Sequence, residues 1–177
     1  MPARPLPPEP ISLSTLLTDS ATAEALLERL RWPRGRPNCP HCGATQCYRL
    51  TCVRSGGVRF KCAACRKQYS PRRGTVMERS NVPTGRWLVA LALATGTPVN
   101  GLPARIERHT GVSYKTAWTM VQRLKASPSD PLLTAMQRAV DRGLILFTVT
   151  DRGQSQPMRT VPRSPSTLMA LAAASTT

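Results

Sequence analysis

The chain has 177 residues and a formal net charge of +16, with 25 Lys and Arg against nine Asp and Glu. No stretch approaches the roughly 18 apolar residues that a membrane-spanning helix needs, and the proline-rich start lacks the apolar core of a signal peptide. We therefore expect a cytoplasmic protein, in a reducing compartment where paired cysteines favour metal over disulfides.

Residues 1–11 include five prolines and are expected to form a disordered leader. Apolar residues then recur at helical spacing between Leu16 and Leu30. This pattern predicts a helix with Ser20 as its N-cap, ended by Trp32-Pro33 because a residue before proline avoids the helical conformation. Its apolar stripe is expected to pack on the small module that follows, which would bury too little surface alone.

Two cysteine pairs, Cys39-x-x-Cys42 and Cys62-x-x-Cys65, are separated by nineteen residues. Two such pairs are typical of a four-thiolate zinc site, in which each turn brings two sulfurs to one side of the backbone. Gly43 suits the positive φ that the tight turn after Cys42 needs. The spacing predicts one structural Zn²⁺ ion.

The choice of ligands and of metal leaves alternatives, because two further cysteines and one histidine lie near the four predicted ligands. Cys47 and Cys52 are most simply buried or half-buried small apolar residues, with a ligand exchange as the other option. His41 lies inside the first turn, where we favour an exposed imidazole over a metal ligand. Iron would suit the same thiolates, but residues 31–79 carry twelve basic residues and one acid. An electron carrier does not need such a positive electrostatic field, whereas a protein that binds a polyanion does.

The segment between and after the cysteine pairs predicts a small antiparallel sheet. Residues 48–53 alternate as a strand, residues 55–57 form a turn, and residues 58–60 return as the second strand of a hairpin. Residues 68–70 are expected to add a third strand. The predicted module is a zinc ribbon, whose core is largely replaced by the metal.

Three helices are predicted after the ribbon. An apolar helix over Trp87–Ala94 ends near residues 95–98, and helices over Leu102–Thr110 and Tyr114–Lys125 flank a Gly111–Ser113 turn. The last two helices form a pattern typical of a helix-turn-helix. Trp118 is expected to close the helical core, with a contact to DNA as the alternative.

The fold class expected is α+β, with the chain organised in four segments. These are a disordered leader (1–11), an N-terminal helix with the zinc ribbon (12–79), a helix-turn-helix domain (80–127) and a divergent, poorly ordered tail (128–177). Within the tail, Leu144–Thr150 reads as one strand ending at Asp151, where a first catalytic aspartate would fit.

Several motifs together resemble the zinc-ribbon domain of bacterial insertion-sequence transposases. They lie between about residues 12 and 127, roughly two-thirds of the chain. The motifs are Arg31-Trp32-Pro33, Cys39-Pro40-His41-Cys42-Gly43, Cys62-Ala63-Ala64-Cys65, Arg66-Lys67-Gln68-Tyr69-Ser70, Gly74-Thr75, Trp87-Leu88 and Gly111-Val112-Ser113-Tyr114-Lys115-Thr116-Ala117-Trp118.

The resemblance implies a DNA-docking part ahead of an RNase H-like catalytic domain, in which acidic residues hold divalent metal for strand cleavage and joining. This sequence departs from the pattern, because Asp130, Asp141 and Asp151 are the only acids after Lys125. We therefore expect no catalytic residues and a truncated copy without its own active site. Glu107 and Thr110 also depart, at places usually taken by alanine and an apolar residue, and are expected to weaken the helix crossing.

The expected function is zinc-dependent binding of double-stranded DNA at transposon ends by a nucleoid-associated protein. A homo-oligomer is possible, and no membrane or small-molecule substrate is expected. The alternatives are a transposase subunit whose catalysis is supplied in trans and a zinc-ribbon module that binds protein. The residues expected to contact phosphates are Arg49, Arg54, Arg59, Lys61, Arg66, Lys67, Arg72 and Arg73. The residues expected to approach base edges or nearby phosphates are Ser113, Tyr114, Lys115 and Thr119.

Overall fold

The computed structural model describes residues 9–50, 57–95 and 100–147. The fold is α+β, as predicted, with a three-stranded antiparallel sheet beside a bundle of helices. The elements are β1 (Ile11–Ser12), α1 (Leu13–Thr18), α2 (Ser20–Arg31), β2 (Cys47–Leu50), β3 (Arg59–Cys62), β4 (Gln68–Tyr69), α3 (Thr84–Thr95), α4 (Leu102–Thr110), α5 (Tyr114–Ala126), α6 (Pro131–Asp141) and β5 (Ile145–Leu146).

Helix α3 forms the centre of the helical core. Every residue from Trp87 to Leu93 is buried, and α1, α2, α4 and α6 all pack against this helix. A helix that is apolar on all sides needs such complete cover. At its first turn, Gly85 lies so close to α1 that a Cβ there would be 1.8 Å from the Leu16 carbonyl oxygen.

The N-terminal helical segment forms two helices rather than one. Ser12 caps α1 by accepting a hydrogen bond from the Thr15 backbone N–H. Asp19 caps α2 by accepting from the backbone N–H groups of Ala21 and Thr22. The prediction of Ser20 as the cap is therefore wrong by one residue, because the Asp19 carboxylate reaches both free N–H groups.

The predicted end of α2 is confirmed, but its predicted packing is wrong. The helix ends at Arg31, with Trp32 as its C-cap. Its apolar residues, including Leu26, Leu27 and Leu30, belong to the helical core rather than to the ribbon. The physical reason is that α3 needs cover on all sides, which a narrow ribbon sheet does not provide.

Part of the expected disordered tail is well structured. Asp130 is the N-cap of α6, and its side chain accepts from the Leu132 backbone N–H, with proline in the first turn of the helix. Leu132, Met136 and Ala139 then bury one face. The expectation of poor order is therefore wrong for residues 131–141, because helical spacing and a cap were both present.

A short parallel pairing joins the two ends of the described chain. Ile11 lies opposite Ile145, and Ser12 opposite Leu146. The strand predicted over Leu144–Thr150 is observed at Ile145–Leu146, while Asp151 lies outside the described residues, as do residues 1–8. Helices α1 and α2 share one core with α3–α6. The division of the chain at residue 80 remains a prediction.

The ribbon sheet has the strand order β2-β3-β4. Cys47 lies opposite Cys62, and Phe60 lies between Arg49 and Tyr69 in the three-stranded register. Residues 51–56, which include the predicted end of the first strand and part of its turn, lie outside the described residues. None of the helices within the described ranges is long and apolar enough to span a membrane.

Candidate metal centre and basic surface

The first cysteine turn forms a compact loop around one sulfur. The backbone N–H of Gly43 donates to the Cys39 carbonyl oxygen at 2.8 Å, and the N–H of His41 donates to Cys39 Sγ at 3.4 Å. Gly43 has a φ of +75°, which confirms the positive φ expected there. The turn thus brings Cys39 and Cys42 to the same side of the chain.

The second cysteine turn repeats this geometry with an arginine in the strained position. Cys62 ends β3, and its backbone N–H donates to the Lys67 carbonyl oxygen at 3.0 Å. Arg66 directly follows Cys65 and has a φ of +59°, in the region that favours glycine. Arg66 therefore occupies the place that Gly43 has in the first turn, at some cost in backbone strain.

The four sulfurs form a cluster suited to one zinc ion. The distance between the Sγ atoms is 3.6 Å for Cys39 and Cys65 and also 3.6 Å for Cys42 and Cys62, and all four lie within 4.8 Å of one another. A tetrahedron with Zn–S bonds of about 2.3 Å has sulfurs about 3.8 Å apart. These thiols therefore fit a tetrahedral Zn²⁺ ion.

The pKa values of two cluster thiols, Cys62 and Cys65, shift in opposite directions. The backbone N–H of Cys65 is the main cause that lowers the pKa of Cys62 to about 6, which favours the thiolate that zinc requires. The backbone N–H of Lys67 has the same effect on Cys65, yet burial and the other three cysteines raise its pKa to about 12. Four crowded thiolates repel one another, and a divalent cation at their centre removes that repulsion.

The other described candidate ligands, Cys47 and His41, remain outside this cluster. Cys47 is half-buried, as predicted, and its Sγ donates to the Ala44 carbonyl oxygen at 3.6 Å. Burial raises the pKa of Cys47, so its thiol stays protonated. His41 is exposed, as predicted. Cys52 lies outside the described residues.

Three aromatic rings, those of Trp32, Phe60 and Tyr69, pack beside the metal centre. The Trp32 and Phe60 rings meet edge to face at a centroid distance of 5.1 Å, and Phe60 stacks on Tyr69 at 5.7 Å. All three rings are buried in one cluster with Cys39 and Cys62. The sequence pattern assigns Trp32 to the helix end and to one of the resemblance motifs, and does not predict its place in this cluster. Alternation in β3 and β4 would have indicated the inward positions of Phe60 and Tyr69.

The predicted phosphate contacts fall into two groups. The side chains of Arg59, Lys61, Arg66 and Lys67 are exposed around the ribbon. The other three described arginines of the predicted set make contacts within the protein, while Arg54 lies outside the described residues. These contacts join Arg49 to the buried Glu28 carboxylate at 2.7 Å, Arg72 to the Val82 carbonyl oxygen at 2.6 Å and Arg73 to Glu78 at 3.1 Å.

The predicted base contacts lie at the start of α5. Ser113 is the N-cap and accepts from the Thr116 backbone N–H, while the Thr119 hydroxyl donates to the Lys115 carbonyl oxygen at 2.9 Å. Tyr114 and Lys115 are exposed. The expectation for Trp118 is wrong, because this side chain is 50% exposed, at the edge of the apolar stripe rather than within it.

The two residues expected to weaken the helix crossing are accommodated differently. Thr110 is buried, and its hydroxyl donates to the Ile106 carbonyl oxygen at 2.6 Å, so the polar group has a partner. Glu107 is half-buried and its carbonyl oxygen accepts from Gly111. Helices α4 and α5 pack together with both residues in place.

Comparison with known proteins agrees with the metal centre. Residues 18–68 match the family described as the transposase zinc-ribbon domain. A protein of the transposable element ISH50 from Halobacterium salinarum is 32% identical over 113 residues, which cover 63% of this chain and 36% of the relative. The chain thus spans about a third of the length of this relative. The relative is archaeal, so a bacterial origin stays a prediction. No solved structure shows significant similarity.

Proposed function

We propose that the chain is a zinc-dependent protein that binds duplex DNA at transposon ends. The observation that carries the proposal is a transposase-type zinc ribbon whose exposed cations include Arg59, Lys61, Arg66 and Lys67. A loaded four-thiolate centre lowers the formal charge by two, so the chain stays strongly positive. Neutralising phosphates releases their counterions and supplies affinity without regard to sequence.

Helices α4 and α5 would provide the sequence-dependent part of binding. In a helix-turn-helix the second helix enters the major groove, and its N-terminal residues contact base edges. The exposed Lys115 in the first turn of α5 is suited to donate to the N7 and O6 atoms of guanine. With α5 in this role, the protein would prefer particular terminal repeats of the transposon over other duplex DNA. A homo-oligomer would be able to bind both transposon ends.

Strand cleavage needs carboxylates that converge on divalent metal ions. Asp130 instead uses one carboxylate oxygen to accept from the Val76 N–H and the other to accept from Leu132, each at 2.7 Å. Among the described residues, the only group of three or more side chains close enough to hold a metal ion is the four-cysteine cluster. We therefore assign DNA binding to the described part. Catalysis would have to come from another chain or from residues outside the described ranges.

Salt-dependent binding tests the proposal. Phosphate contacts by these four side chains alone predict a slope of about −3.6 in a plot of log affinity against log salt for a mixed-sequence duplex. Lys67→Ala should lower the magnitude of this slope by about 1. The matched control is Arg138→Ala, which removes an exposed cation from α6 and should leave the slope unchanged.

The result that would refute the proposal is a zinc-loaded, folded chain that ignores duplex DNA at low salt. The remaining function would then be a zinc ribbon that binds an acidic protein partner. A second refuting result is equal loss of affinity in Lys67→Ala and Arg138→Ala, because binding would then follow total charge rather than the ribbon surface.

A further inference from the structure

Two large aromatic side chains lie exposed on one face of α5. Tyr114 is 52% exposed and Trp118, one helical turn later, is 50% exposed. Residues four apart are neighbours on a helix surface. The other tryptophans, Trp32 and Trp87, are 8% and 1% exposed, so Trp118 differs from both. Keeping these rings in water is unfavourable unless a partner covers them.

The charge around the two rings favours an anionic partner. Helix α5 contains no acidic residue, and its exposed lysines, Lys115 and Lys125, share the face with Tyr114 and Trp118. Lys115 is three positions before Trp118, so the two are neighbouring positions on the helix surface. A purely apolar partner would leave these ammonium groups without counter-charges, whereas nucleic acid offers both phosphates and flat apolar bases.

The hydroxyl groups expected to read bases already have partners within the helix. Ser113 caps α5, and Thr119 donates its hydroxyl hydrogen to the Lys115 carbonyl oxygen. Thr119 cannot donate to a base without giving up that bond, whereas Ser113 accepts through an oxygen lone pair and keeps its hydroxyl hydrogen. The exposed groups left on the first two turns are mainly Tyr114, Lys115 and Trp118.

We infer that Trp118, with Tyr114 beside it, is a specificity-determining contact to bases in the major groove. This inference rests on the proposed DNA binding. The indole ring contacts the C5-methyl group of thymine, and its Nε1–H donates to an acceptor on the base edge. Apolar contact with that methyl group distinguishes a thymine from the other bases in the major groove. Trp118 thus selects A·T base pairs at a position beside the guanine contacted by Lys115.

Selection from a duplex library with a randomised central segment tests this preference. The zinc-loaded full chain should enrich a motif that contains a thymine, and Trp118→Ala should lose the preference at that position while keeping the others. For the preferred duplex, we expect affinity to fall about fivefold to a hundredfold. Leu146→Ala is the matched control, since it removes a side chain that is 49% exposed on β5, and it should select the same motif as the parent.

Fluorescence gives a second readout that is independent of affinity. Because Trp32 and Trp87 are buried, acrylamide should quench mainly Trp118, and this component should be absent in Trp118→Phe. The selected duplex should protect that component at saturation. An equally accessible Trp118 in the saturated complex, or an unchanged motif in Trp118→Ala, would overturn the inference while DNA binding itself stands.

The remaining outcomes separate this inference from the proposed function. If the parent enriches no motif yet binds duplex with a steep salt slope, the specificity role is wrong and the ribbon proposal survives. If the parent is a dimer that Trp118→Ala dissociates without changing the motif, the rings form a contact between copies, which also overturns the inference. If the folded parent binds no DNA, both proposals fail together.

Discussion

Replacing Arg49 with alanine is expected to destabilise the fold rather than only remove a surface cation. Arg49 Nη2 lies 2.7 Å from Glu28 Oε1, and the two side chains are 22% and 4% exposed. Burial raises the pKa of Glu28, and the positive charge of Arg49 opposes that shift. Without Arg49, the carboxylate would remain buried between α2 and the ribbon with no cation beside it.

The size of the effect follows from the burial of both partners. Removing one partner of a fully buried ion pair costs about 3–5 kcal/mol. Water reaches part of Arg49 and screens the pair, so we expect about 2–3 kcal/mol. Arg59→Ala is the matched control, because Arg59 is exposed on the neighbouring strand opposite Leu50. It should change the unfolding free energy by less than about 0.5 kcal/mol. Urea unfolding of the zinc-loaded protein, followed by circular dichroism, measures both.

The pH dependence gives a further check. A carboxyl whose pKa is raised by folding binds its proton more tightly in the folded protein. The cost in stability of keeping its charged form buried is therefore fully present above the folded-state pKa and falls as the pH drops. Losing Arg49 raises the pKa of Glu28 further. The stability difference between Arg49→Ala and the parent should therefore narrow on acidification, within the range where zinc stays bound. Adding Glu28→Gln to the Arg49→Ala variant should restore most of the lost stability, because the unpaired buried charge is then removed. A loss no larger than that of Arg59→Ala, or a difference that widens in acid, would refute this reasoning.

Two backbone positions give further predictions. Gly85→Ala should destabilise the zinc-loaded chain by about 3 kcal/mol or more, because its Cβ would overlap the Leu16 carbonyl oxygen. Gly57→Ala, which meets nothing within 4 Å, is the control in thermal unfolding; equal melting temperatures would contradict the prediction. Arg66→Gly should stabilise the chain by about 1 kcal/mol, since it relieves the positive φ after Cys65. A lower melting temperature for Arg66→Gly would show that the turn is not strained.

The metal centre could be predicted because its information is local. The spacing of Cys39, Cys42, Cys62 and Cys65 nearly determines the ligand set, and Gly43 marks the turn. The bounds of α4 and α5 were similarly accessible, since Gly111 ends one helix in a left-handed conformation and Ser113 caps the next. Such signals involve residues only a few positions apart.

The errors concern contacts between distant parts of the chain. Nothing in the local pattern shows that Arg49 pairs with Glu28, or that Ile11 lies beside Ile145. The apolar stripe of α2 had two possible partners, and only the complete burial of α3 decides between them. The position of Trp118 was accessible in principle, because helical spacing groups it with Tyr114 rather than with Ala117, Val121 and Leu124.

Zinc content and DNA binding, measured on one preparation before and after chelation, test the central claim most directly. The account predicts one zinc per chain, loss of the gel shift and of ribbon structure on chelation, and recovery of both on adding zinc. Cys39→Ser and Cys65→Ser should lose the ion, whereas Cys47→Ala and Cys52→Ala should keep it. A metal-free chain that remains folded and still shifts DNA, or one whose metal is redox-active iron, would contradict the account.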